Sequence, residues 1–167
     1  PNAVLVWGNP IPRALFRKGM SIQIAAITAQ GGTEPKPGSP EYRQLQDDTM
    51  RQLVSDLTVV SEARKLGLVT IEPPLVSYIV RNPAKVQRIW NRVYDYAARK
   101  VPDPDDPKVV QATRFDDHDL PEILTPHQLT VYHDWQARRD RVASAFFGRL
   151  FERYRAHTSY APGFRPS

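Results

Sequence analysis

Residues 39–67 read SPEYRQLQDDTMRQLVSDLTVVSEARKLG, and this stretch decides the fold class. Ser39 suits a helix N-cap, and Pro40 suits the first helical position, where its missing N–H would have had no intrahelical partner. Glu41 places negative charge at the positive end of the helix dipole. Tyr42, Leu45, Thr49, Leu53, Leu57, Val60 and Ala63 then recur at steps of three and four, which aligns them as one stripe on a helix. Gly67 supplies the residue that most easily takes the left-handed conformation closing a helix. The spacing predicts a helix over 40–66 with one buried face.

Working outward, the same signals recur. Val69 to Pro74 reads as extended chain and Leu75 to Val80 as a short helix. Asn82-Pro83 starts a medium helix over 82–100, with Val86, Ile89, Trp90, Val93 and Ala97 on its apolar side. VPDPDDP at 101–107 stops it, and proline and aspartate predict irregular chain from 101 to 124. Thr125-Pro126-His127-Gln128 is a capping box opening a long helix over 126–157, with Leu129, Tyr132, Trp135, Val142, Phe146, Leu150 and Tyr154 along it. On the other side, Gly31 to Gly38 is a Gly/Pro linker. Residues 13–30 favour a helix, although Ile22 and Ile24 alternate with polar neighbours as they would in a strand.

The expected fold is therefore mostly α. Two long and one medium amphipathic helices, with short ones, would pack antiparallel between extended Pro-rich arms. The segments are 1–38 (arm, short helix and linker), 39–157 (helical domain) and 158–167 (C-terminal arm). Residues 1–12 would be pinned by Trp7. The segment 158–167, with two prolines and a glycine, is expected to form no sheet of its own and to be ordered by a partner through Tyr160 and Phe164.

Composition narrows the function classes. The 167 residues include no cysteine, which excludes disulfide staples, thiolate metal sites and thiol nucleophiles. No stretch is long and apolar enough for a transmembrane helix. Phosphate-binding glycine loops, H-E-x-x-H and G-x-S-x-G are absent. Asp103 to Pro107 lacks the glycine and distal glutamate of a calcium loop. His127 and His133 are six residues apart and so face different sides of one helix, while His118 sits in a loop. The reading is no catalytic residue, no metal and no cofactor.

The positive pattern is basic. Net charge is +5, but it comes in blocks: residues 101–125 carry −5 and residues 126–167 carry +4. Arg81, Lys85, Arg88, Arg92 and Arg99 share one face of the 82–100 helix, away from its apolar side. Arg138, Arg141, Arg149 and Arg155 line the last helix. An ordinary solvated face mixes signs, whereas arginine favours paired contacts with carboxylate or phosphate. The expected contacts are acidic protein surfaces, this chain's own 101–125 segment among them, then anionic lipid head groups, then RNA. Trp7, Tyr160 and Phe164 are the expected interface anchors, since stable interfaces favour aromatics and arginine.

Long single-striped helices flanked by aromatic arms suggest a subunit built into something larger. The expectation is a non-catalytic structural accessory subunit of a multiprotein assembly. An acid-poor, arginine-containing start points to a mitochondrial protein peripheral to the inner membrane, in a respiratory-chain or ATP synthase complex. The alternatives are an RNA-binding protein of an organellar ribosome and a phage or virion structural protein.

Overall fold

The computed structural model describes all 167 residues, Pro1–Ser167, and the fold is mostly helical. The elements are β1 (Asn2–Val6), β2 (Asn9–Pro12), α1 (Arg13–Ala29), α2 (Pro40–Lys65), α3 (Leu75–Arg81) and α4 (Pro83–Ala98). There follow α5 (Pro107–Gln111), two 3-10 turns at 112–114 and 117–119, α6 (Leu120–Ile123), α7 (Pro126–Arg155) and β3 (Thr158–Tyr160). No helix is long and apolar enough to cross a membrane.

The helix ends follow the local chemistry of the sequence. Tyr42 N–H donates to Ser39 Oγ at 3.1 Å, with Pro40 and Glu41 in the first turn of α2. At its other end Leu68 N–H donates to Ala63 O and Gly67 N–H to Arg64 O, the paired bonds of a Schellman cap, with Gly67 at φ 73°. Thr125 and Gln128 form the reciprocal capping box of α7: Gln128 N–H donates to Thr125 Oγ1 at 3.2 Å and Thr125 N–H to Gln128 Oε1 at 2.9 Å. Residues 13–29 settle as helix, resolving the ambiguity at Ile22 and Ile24.

The chain divides into two compact units, Pro1–Val93 with Leu150–Ser167, and Tyr94–Arg149. The division does not follow the segments 1–38, 39–157 and 158–167. Both termini belong with α2 because they share a sheet, of order β2-β1-β3.

In the first unit α2 is the central element. From Leu57 to Ala63 every residue is buried, so the stripe predicted for one face becomes burial all round. α1, α3 and the sheet pack against it. The N-terminal segment is a hairpin rather than a free arm. Val6 pairs with Asn9, leaving Trp7-Gly8 as a two-residue turn with φ 45° and 81°. Such a turn needs both central residues left-handed, which suits Gly8 and costs a bulky residue about 1–2 kcal/mol. Contacts on the Trp7 ring offset that cost. It stacks on His157 at 4.1 Å, meets Tyr154 edge-on at 4.9 Å and lies 4.1 Å from Lys65 Nζ.

The C-terminal segment also differs from expectation. Thr158–Tyr160 pairs antiparallel with β1, in the register Val4↔Tyr160, and Ala161 N–H donates to Ala3 O at 2.9 Å. The segment therefore finds its ordering partner in its own chain. Two prolines and a glycine do not prevent this, because they follow the paired residues rather than interrupting them. Phe164 then meets Phe16 edge-on at 5.8 Å, with the Arg13 guanidinium 5.1 Å from its ring.

In the second unit, residues 101–124 form short helical turns where irregular chain was expected. Prolines there start turns as well as ending them: Pro107 occupies the first turn of α5, and Asp106 caps it through Lys108 N–H at 2.9 Å. The second Asp106 oxygen accepts from Gln128 Nε2 at 2.8 Å, tying this cap to α7, and the two bonds hold the carboxyl below its ordinary range, Gln128 first. The apolar residues between the prolines are what fold the segment. Val101, Val109, Ala112, Leu120 and Leu124 form a small core with Tyr132 and Trp135 of α7.

Candidate functional site

Within the first unit, α1, α2, α3 and α4 enclose a half-open groove of about 390 Å³. Its walls are Ile22 of α1, Leu53 of α2, Ile79 of α3, and Val86 and Trp90 of α4. Gly19 of α1 faces α2 in the groove: a Cβ there would meet Thr49 Cγ2 at 3.4 Å and Leu53 Cδ1 at 3.6 Å, ordinary contact distances. The mouth leaves Ile22 47% exposed, a large apolar side chain in water. Thr49 also lines the groove, and its buried Oγ1 makes no hydrogen bond.

Polar groups interrupt the apolar walls. Asp56 Oδ1 accepts from Trp90 Nε1 and from Gln52 Nε2, each at 2.9 Å. Burial pushes the Asp56 carboxyl above its ordinary range, and these two bonds pull it partly back. Gln23 and Gln87 line the groove from opposite helices and leave their amides exposed at its edges. The arrangement suits an apolar side chain between the walls with backbone amide and carbonyl groups at the edges. It holds no paired acid and base or positioned nucleophile of the kind that acid–base or acyl-transfer chemistry needs.

All nine basic residues singled out from sequence are exposed: Arg81, Lys85, Arg88, Arg92 and Arg155 in the first unit, Arg99, Arg138, Arg141 and Arg149 in the second. None forms a salt bridge, with residues 101–125 or elsewhere. Arg92 Nη1 donates to Leu68 O at 2.9 Å, and the Arg99 guanidinium lies 4.0 Å from the Tyr96 ring. The ion-paired arginines are others. Arg153 bonds the buried Glu62 at 2.7 Å, Arg139 bonds Asp95 at 3.2 Å, and Arg51 lies 3.7 Å from Asp48. Sequence reasoning missed these pairs because each partner except Asp48 comes from a distant stretch of chain.

Asp116, His118 and Asp119 bring one potential ligand atom each within 4.8 Å of one another, and His118 Nε2 lies 3.2 Å from Asp119 Oδ1. The group sits on an exposed 3-10 turn and contributes three donors, short of the four of a closed structural metal site. Of the expected anchors, Trp7 remains 38% exposed, while Tyr160 and Phe164 are half-buried against the chain itself.

The groove is a feature that sequence reasoning missed. Leu53 and Trp90 were legible as apolar positions, but a stripe does not reveal which part of it a neighbouring helix leaves uncovered. No family model, curated protein or solved structure matches the chain.

Proposed function

We propose that the chain is a non-catalytic polypeptide-binding module, an accessory subunit that takes an apolar segment of another protein into the groove of α1, α2, α3 and α4. The observation that carries this reading is the exposed Ile22 in a half-open groove that it lines together with Leu53, Ile79, Val86 and Trp90, with Gln23 and Gln87 also in the lining. Burying one large side chain there contributes about 1.5–3 kcal/mol. Amides at the edges can accept from and donate to a peptide backbone whatever its sequence, so the site would select for apolar character more than for a motif.

Fluorescence anisotropy tests the proposal, with labelled 12-residue peptides rich in Leu and Phe and matched peptides carrying Ser and Asp instead. The apolar peptides bind and the polar ones do not. Gly19→Leu, which fills the floor, and Ile22→Asp, which charges the mouth, each weaken binding at least about tenfold, equivalent to 1.4 kcal/mol. Equal binding by the two peptide sets, or by the variants and the unaltered chain at unchanged circular dichroism, refutes the reading.

A further inference from the structure

A second cavity of about 420 Å³ lies in the same unit, between the last turn of α7, the middle of α2 and the residues after β3. Arg51, Arg155 and Arg165 line it with Tyr160 and Ser167, and Val54 and Phe151 add apolar wall. Arg155, Tyr160 and Arg165 also line an adjoining cavity of about 300 Å³. We propose that this pocket binds a phosphate monoester, the phosphate on Arg51, Arg155 and Arg165 and the organic remainder against Val54 and Phe151.

Charge imbalance is the first support. Arg155 and Arg165 form no salt bridge, and no Asp or Glu side chain is among the residues lining the cavity. Arg51 lies 3.7 Å from Asp48 and donates one bond to Ser167 O, while Asp47 accepts from Ser167 N–H at 3.2 Å. A guanidinium has five N–H donors, so Arg51 retains several for a ligand. Like charges lining one cavity repel each other, and a bound anion would relieve that repulsion.

The remaining groups fit an oxyanion too. Tyr160 is close enough to all three arginines for each to act on its ionisation, yet burial outweighs them and keeps its phenol pKa above the ordinary value. It therefore stays a protonated hydroxyl donor. Planar guanidiniums bond two phosphate oxygens at once, and a third donor set completes a tripod that a monoanionic carboxylate would not fill. The volume exceeds what phosphate alone occupies, and Val54 and Phe151 give the surplus an apolar wall.

Isothermal titration on the full chain tests this with inorganic phosphate, phenyl phosphate and benzoate at low and moderate salt. In a second arm, vesicles of phosphatidylcholine with or without phosphatidic acid are pelleted with the protein. Phenyl phosphate binds more tightly than inorganic phosphate, and benzoate least. Arg155→Gln and Arg165→Gln each weaken binding about tenfold or more, whereas Arg88→Gln, which removes the same charge from α4, does not. Phenyl phosphate binding identifies a soluble ester as sufficient. Binding only to phosphatidic acid vesicles, lost in the same two variants, assigns the same pocket to a lipid head group. The proposal is overturned if neither arm binds, or if Arg88→Gln weakens binding as much as Arg155→Gln.

Discussion

Tyr154 closes the C-terminal end of α7 onto α2, and a double-mutant cycle measures how firmly. Its side chain is 1% exposed, its hydroxyl donates to Ser61 Oγ at 3.2 Å, and its ring meets Trp7 at 4.9 Å. Ser61 is itself 5% exposed, so water cannot replace the bond. Tyr154→Phe keeps the ring and strands the serine hydroxyl, which costs about 1–3 kcal/mol. Ser61→Ala strands the tyrosine hydroxyl at a similar cost. The double variant strands neither and should cost about 1 kcal/mol, well below the sum of the singles. In urea, with a slope of about 2 kcal/mol per molar, each single variant moves the midpoint down by roughly 0.5–1.5 M. Indole fluorescence reports the transition, since Trp7 rests on this ring. Additive single effects would show that the two hydroxyls are solvated separately and that the bond does not hold α7 to α2.

Three further outcomes follow from the same structure. Asp56 binds its proton more tightly when folded than unfolded, so stability falls as pH rises from about the ordinary value of 3.8 through the raised folded value. Asp56→Asn, which still accepts from Trp90, should abolish that fall and be the more stable form at neutral pH, as thermal melts across pH 3–8 would reveal. Tyr94 is held up to about 12, first by burial and then by its hydrogen bond to Asp140. Ultraviolet titration should find one tyrosine ionising there, and Asp140→Asn should bring it down; no late-titrating tyrosine would contradict the geometry. Removing residues 158–167 strips β3 from β1 and Phe164 from Phe16, and should lower stability by about 2–4 kcal/mol. An unchanged urea midpoint would instead make the segment a passive tail.

The helices were legible because their signals are local. Ser39, Pro40 and Gly67 bracket α2 by chemistry acting within four residues, and the Thr125–Gln128 box opens α7 in the same way. The sheet was illegible for the opposite reason. Asn2–Val6 is marginal alone and becomes a central strand only when residues more than 150 positions away pair with it. Trp7-Gly8 hid the hairpin, because tryptophan rarely accepts a left-handed conformation and does so here under tertiary contacts from Tyr154 and His157. Residues 101–124 were misread because prolines that look like breakers serve as first-turn residues, with Val109 and Leu120 supplying the burial that holds them. The basic positions expected to meet acidic surfaces are exposed, and none pairs with residues 101–125. Which cations meet at a cavity depended on Arg51 and Arg165, from two stretches that no periodicity connects.

The α4 helix shows why one basic stripe does not describe the surface that matters. Pro83, Val86, Gln87 and Trp90 line the groove, and at ~100° per residue Lys85, Arg88 and Arg92 are centred about 180° away, while Arg81, read from sequence as part of this face, ends α3 instead. Ile89 and Val93, both buried, occupy the arc between them on one side. A polypeptide held in the groove would therefore leave the cationic face uncovered, and the charges on that face would not decide which side chain enters. Exposed charges without partners act mainly on encounter rates and are screened by salt, whereas buried apolar contacts are governed by fit. On the proposed reading, affinity for an apolar segment resides in Ile22, Leu53 and Trp90 and varies little with ionic strength. Any attraction to an anionic neighbour resides on the far side of the same helix and falls steeply as salt rises. Two surfaces on opposite faces of one rigid element can be occupied together, which is what a module linking a bound polypeptide to a second, anionic surface requires.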